Sequence, residues 1–273
     1  MSQSPQWLIV TKDIINIIFW FANITFFVIT TAIGIKTYKS AKRTLLQPIK
    51  TEVFKEQIKE YSKILNFFSA KDETSLQNEF AFDKLFRANT IATFDQYAIT
   101  FFDYKPNLDE KPYSSEKCPS KLVTQEGMEK HFRRIDDHMT TEVAVTKEKP
   151  DSRVRAALWA EYKCTMLHIP REMKEKNKEL ELLKSSPLLS KQLVELIEEF
   201  EESLRLNKHM LMDVLTEVSK EFVRKYPSPE SLSKMTYHWI WNKLNKKLLP
   251  LEEPAHKIIE YIRDYYKVDE LID

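Results

Sequence analysis

The stretch IINIIFWFANITFFVITTAIGI, Ile14 to Ile35, decides how the rest of the chain is read, because its 22 residues carry no charge and are mostly Ile, Phe, Val and Thr. As a helix rising about 1.5 Å per residue it reaches about 33 Å, enough to cross a hydrocarbon core of about 30 Å with slight tilt. A cleaved signal peptide would need a basic start, a shorter apolar core and a small-residue cleavage site. None of these is present. Lys12 and Asp13 before the stretch cancel, whereas Lys36, Lys39, Lys42, Arg43 and Lys50 follow it with no acid before Glu52. The positive-inside rule then puts the C-terminal side in the cytoplasm and the short N-terminus, residues 1–13, outside the plasma (inner) membrane. Lys36, Lys39, Lys42 and Arg43 are the residues expected at the membrane surface.

Within residues 14–35, Asn16, Asn23 and Thr30 are spaced by seven, and Gly34 lies one turn beyond Thr30. All four fall close to one helix face. An amide in hydrocarbon is costly unless it is hydrogen-bonded, and repeated amides on one face can bond each other across identical helices. The sequence thus predicts a homo-oligomer joined through this face. The competing reading is that these side chains bond their own backbone.

Beyond residue 35, 238 of the 273 residues remain, enough for one large or two small domains with a proper core. Lys plus Arg number 42 against 41 Asp plus Glu, and this balance argues against a general nucleic-acid binder. Cys118 and Cys164 read as free thiols, since both fall on the side assigned to the cytoplasm. Glycine is the most informative count: the chain has two, Gly34 and Gly127. Phosphate loops, dinucleotide-binding turns and Gly-flanked nucleophile elbows each need several glycines close together, so these enzyme classes are excluded.

The periodicity after the membrane segment is helical. Phe54, Ile58, Tyr61, Leu65 and Phe68 form a stripe at spacings of four and three, after a break expected at Pro48. A second helix is expected from Thr74 or Ser75 to Phe102, and residues 103–127, with Pro106, Pro112 and Pro119, read as a loop. Val154, Leu158 and Tyr162 predict another helix that Pro170 ends, and Ser186–Pro187 reads as the start of the longest helix, through Phe222. Ser228–Pro229–Glu230 opens one more, and a last helix begins near Pro254.

Three constellations could carry chemistry. In RRIDDH, Arg133 and His138 are separated by four residues, which resembles the Arg and His pattern of the HEPN group of all-helical ribonucleases. The likeness spans six residues. It implies a metal-independent ribonuclease in which His138 acts as general acid or base and Arg133 steadies the phosphate. Arg134 departs from the small polar residue of that pattern, and Asp136 and Asp137 set negative charge where RNA phosphate would lie. Pro150 and Asp151 with Glu161 and Lys163 have the formal spacing of a metal-dependent nuclease, on a segment whose Ala, Arg and Leu content is helical rather than strand-like. Cys164 and His168, four apart, and His131 and His138, seven apart, lack any accompanying CxxC or HExxH, so no metal and no cofactor is expected. Tyr237, His238, Trp239 and Trp241 are expected in the core and at helix contacts.

The sequence therefore predicts an all-α protein: a transmembrane helix at 14–35, a juxtamembrane helical region at 36–104, a proline-containing loop at 105–127 and a C-terminal helical domain at 128–273. The expected role is interaction or regulation in the cytoplasm, with the lipid bilayer, further copies of the chain and a cytoplasmic protein as partners. A tethered ribonuclease and a membrane-perturbing oligomer are the alternatives.

Overall fold

The computed structural model describes residues 6–131 and 152–267. The chain divides into two compact units, Met1–Lys59 and Glu60–Asp273. Helix α1 (Gln6–Phe68) crosses the division. The described part of the first unit is helical throughout, and all side chains described from Asn16 to Lys55 are exposed. The helix passes through Pro48 without the expected break. Proline has no N–H to give to the Thr44 carbonyl, and the cost is one intrahelical bond. Good helix formers on both sides, and the Thr51 hydroxyl bonded to the Gln47 carbonyl at 3.0 Å, accompany the continuation.

The second unit is predominantly helical. Asp72 caps α2 (Glu73–Glu79) by accepting from the Ser75 N–H at 2.8 Å. The single helix expected up to Phe102 is instead two, because Ala81 takes a left-handed conformation (φ 52°, ψ 39°) before α3 (Phe82–Phe102). Phe80, Ala81 and Phe82 are all buried. Consecutive side chains on a straight helix diverge by about 100°, so one face cannot bury all three, and the kinked turn can.

A two-stranded antiparallel sheet is the departure from a purely helical expectation. Strand β1 (Ser120–Val123) lies in the stretch read as a loop, and β2 (Met166–Ile169) in a stretch read as the end of a helix. Ser120 pairs with Ile169 and Val123 with Met166. Helix α4 (Gln125–His131) follows β1, and α5 (Ser152–Ala160) precedes β2. Gly127 is fixed by this packing: a Cβ there would lie 2.7 Å from the Thr165 Cβ. Its N–H donates to the Thr124 hydroxyl at 3.1 Å, which closes the first turn of α4.

Helix α6 (Arg171–Lys184) leads to α7 (Lys191–Lys225), the element around which the core forms. The helix starts at Ser190 rather than at Ser186–Pro187, because the Ser190 hydroxyl accepts from the Leu193 N–H at 3.2 Å. Tyr61 and Tyr261 hold that cap, at 3.2 Å from the Ser190 N–H and 2.7 Å from its hydroxyl. Leu193, Ile197, Phe200, Leu204, Leu211, Leu215, Val218 and Phe222 form its buried stripe, as their spacing predicts. Short helices α8 (Pro229–Ser233) and α9 (His238–Asn245) follow, and α10 (Glu252–Tyr266) packs along α7.

The core is aromatic where α3, α5 and α7 meet. Phe94 stacks on Phe222 at 4.3 Å between centroids, and Tyr97 and Trp159 close around them. The residues on either side of 105–127 therefore share one core. Phe68, near the end of α1, packs edge-on against Phe200 at 5.0 Å.

Candidate functional site

In the first unit, the apolar part of α1 is the one helix among the described residues long and apolar enough to cross a membrane, with a mean hydropathy of 1.9 and no burial. Ile17, Trp20, Phe21, Phe27 and Val28 are each more than half exposed. At 100° per residue, Asn16, Asn23, Thr30 and Gly34 fall within about 40° of arc. Lys36, Lys39 and Arg43 fall within about 60°, on the opposite side of the same helix. None of these three cations has an ion pair among the described residues, whereas the first acids after the uncharged run, Glu52 and Glu56, pair with Lys55 and Lys59.

The four residues of the polar face differ in what they have left to bond. The Thr30 hydroxyl donates to the Phe26 carbonyl of its own helix, as Thr25 does to Phe21 at 2.8 Å. That proton is spent. No described residue hydrogen-bonds the Asn16 or Asn23 side chain, and an amide offers two donors and an acceptor. Around Gly34 nothing lies within 4 Å of a Cβ position, so the packing of this chain gives no reason for a glycine there. Glycine inside a helix costs about 1 kcal/mol relative to alanine.

In the second unit, β2 organises the polar residues. His168 sits opposite Lys121 at a non-hydrogen-bonded position of the ladder, so its own N–H and C=O point away from β1. The buried Asn89 side chain on α3 takes both, accepting from the His168 N–H at 2.7 Å and donating to its carbonyl at 2.9 Å. A cavity of about 490 Å³ adjoins this edge, with Thr93, Tyr162, Cys164 and His168 in its wall. Burial pushes the Cys164 thiol up to about 12, with the Met166 carbonyl 3.6 Å away. Burial, and then Lys121, push the His168 imidazole down, which keeps it neutral near pH 7. The thiol is thus held in its protonated, weakly nucleophilic form.

Cys164 lies in the loop before β2 and His168 on the strand, so the two do not share the helix face that their spacing suggested. Among the described residues no group of three or more His, Cys, Asp and Glu could hold a metal ion. Of the nuclease-like spacing, Glu161 follows the end of α5 and Lys163 pairs with Glu126 at 2.8 Å, while Pro150 and Asp151 lie outside the described residues. Arg133 and His138 lie outside them too. Trp239 and Trp241 pack as expected, Trp241 edge-on to Phe86 at 5.0 Å and Trp239 beneath the Lys225 ammonium at 3.3 Å.

Two residues escaped the sequence reading, and each had a signal. Asn89 and Asp95 are polar positions inside the aromatic run of α3, and both are buried. Asp95 is met by the Lys111 ammonium at 3.0 Å and the Tyr113 hydroxyl at 2.8 Å. Comparison with family models, curated proteins and solved structures finds no match to this chain.

Proposed function

We propose that this protein is a membrane-anchored interaction or regulatory protein that self-associates through its anchor. In this reading α1 crosses the plasma (inner) membrane over 14–35, and the helical unit lies in the cytoplasm, where it meets a protein partner. The observation that carries the reading is the contrast along α1 itself. Its uncharged run is wholly exposed, although exposing so many large apolar side chains to water is strongly unfavourable. A bilayer removes that cost, and the cations Lys36, Lys39, Lys42 and Arg43 begin where the run ends.

Self-association is supported by the unspent amides of Asn16 and Asn23 and by the open space at Gly34, all on one face. Interhelical hydrogen bonds in membranes contribute roughly 0.6 to 2 kcal/mol each. Replacing Asn16 and Asn23 together with Leu is expected to weaken association by about tenfold to several hundredfold, while Thr25→Leu leaves it unchanged. Crosslinking of the full chain in membranes reads this directly. The same ladder for the double variant, the control and the parent sinks the anchor-driven assembly. A reporter fused after Asp273 is expected to behave as cytoplasmic, and its external exposure sinks the orientation.

A further inference from the structure

We infer that the cavity between α3 and α8 is a binding site for a small uncharged aromatic molecule bearing one hydrogen-bond acceptor, a function that goes beyond the anchor and does not depend on it. The cavity measures about 440 Å³ and opens between the second half of α3, the segment holding Tyr104 and Lys111, and α8. That size falls in the usual range for ligand pockets, about 300–1,000 Å³. Phe94, Ala98 and Phe102, spaced by four, share one face of α3 and form the floor, while Leu232 and Met235 form the facing wall. The far wall is held in place by the chain itself. Ser228 and Ser231 cap each other reciprocally at 3.0 and 3.3 Å, with Pro229 at the first position of α8, so this wall is preorganised.

Polar chemistry enters the cavity at one point. Asp95 already accepts from Lys111 and from Tyr113, and its side chain is 10% exposed against 19% for Lys111. The Lys111 ammonium is thus the more accessible partner. It lies 3.0 Å from both Asp95 oxygens and also meets the Tyr104 side chain. An acceptor atom on a ligand in this apolar room would share that charged donor.

Charge selects against ions. Asp95 and Lys111 cancel, so a carboxylate or ammonium on the ligand would enter apolar walls without a counter-charge of its own. The flat rings of Phe94, Phe102 and Tyr104 and the adaptable thioether of Met235 favour an aromatic body. The remaining polar atom of the far wall, the Ser233 hydroxyl, spends its proton on the Glu230 carbonyl at 2.8 Å.

Benzophenone is a suitable probe, since it is uncharged, has two rings and one carbonyl acceptor, and photolabels neighbouring C–H bonds. With the full chain in lipid nanodiscs, irradiation followed by peptide mass spectrometry is expected to show saturable labelling within residues 94–104 and 229–235. Labelling of residues 6–59 is the unsaturable background from the bilayer. Diphenylmethane, which lacks the acceptor, should compete about threefold to tenfold less well than unlabelled benzophenone, the equivalent of one hydrogen bond. Benzophenone-4-carboxylate should compete at least tenfold less well. Ser233→Trp, at an exposed position on the rim, should abolish the saturable component while the melting temperature stays unchanged. Labelling confined to residues 6–59, saturable labelling indifferent to Ser233→Trp, or equal competition by all three molecules would each overturn the assignment.

Discussion

The two glycines of this chain sit in opposite surroundings. Around Gly127, a single added methyl group would meet Thr165 at 2.7 Å, so the fold itself requires the missing side chain. Around Gly34, an added methyl would meet nothing within 4 Å. The first is explained from inside the molecule and the second is not. The same division holds for the apolar residues: Phe222 in α7 is fully buried, whereas Phe27 in α1 is 76% exposed. A residue type alone therefore does not tell what it packs against. In the second unit apolar residues meet each other, and in the first they face outward.

Substitutions at matched residues in the two regions should behave very differently. The largest effect is expected for Phe222→Ala, which empties the centre of the ring of Phe94, Tyr97, Trp159 and Tyr226 and should cost about 3–5 kcal/mol. Phe27→Ala should leave the unfolding midpoint of the second unit where it was. Equal losses from the two would erase the distinction, and denaturant unfolding followed by near-ultraviolet circular dichroism measures both.

Next comes Asn89→Leu. It leaves the His168 N–H and C=O without partners at the buried edge of β2 and is expected to cost about 2–4 kcal/mol. Amide hydrogen exchange at His168 should accelerate by more than exchange in α10 does. Uniform acceleration would mean that Asn89 acts through general packing instead.

Gly127→Ala should cost about 1–3 kcal/mol, because α4 has to shift away from Thr165. Gly34→Ala should cost the second unit nothing. A loss of the same size at both glycines would contradict the account of their surroundings.

The smallest effect concerns Glu217 on α7, which meets Lys243 of α9 at 2.9 Å and Lys247, just past the end of α9, at 2.8 Å. Hydrogen bonds from Lys247 and then Lys243 hold its carboxyl down at about 2, below the ordinary 4.5. A depressed carboxyl contributes stability that is complete above its ordinary value and lost as pH falls through its folded one. The contribution of Glu217 should therefore be present at pH 5 and fade towards pH 2. The side chain is 47% exposed, which limits the gain to about 0.2–1 kcal/mol. Glu217→Gln should flatten the pH dependence of stability within that window and leave it unaltered above pH 5.

How far the sequence foretold this structure follows from which forces are local. Most of the buried stripe of α7 was legible because Leu193, Phe200, Leu204, Leu211, Leu215, Val218 and Phe222 recur at helical spacing, whereas Ile197 and not Leu196 completes it. The break at Ala81 was not, since only the packing of Phe80 and Phe82 in three dimensions repays a left-handed alanine. The β1–β2 pair was equally hidden. Each strand is four residues long, too short for an alternating pattern, and even their nearest pair, Val123 with Met166, joins positions 43 apart in the chain. Pro48 misled in the other direction, because the general cost of proline inside a helix does not forbid it. Of the polar face on α1, the spacing of Asn16, Asn23 and Thr30 was visible at once. For Thr30 the competing reading holds, since its hydroxyl bonds its own helix.

The most direct test of the central claim is whether the Ile14–Ile35 stretch holds the chain in a bilayer. Alkaline carbonate extraction of membranes carrying the full chain, beside an Ile24→Lys/Val28→Lys double variant, measures it. Both positions are exposed and contribute nothing to the core. The parent should stay in the membrane pellet, and the variant should move into the supernatant with the melting of its second unit unchanged. A parent chain released by carbonate, or a variant that stays in the pellet, would contradict the claim.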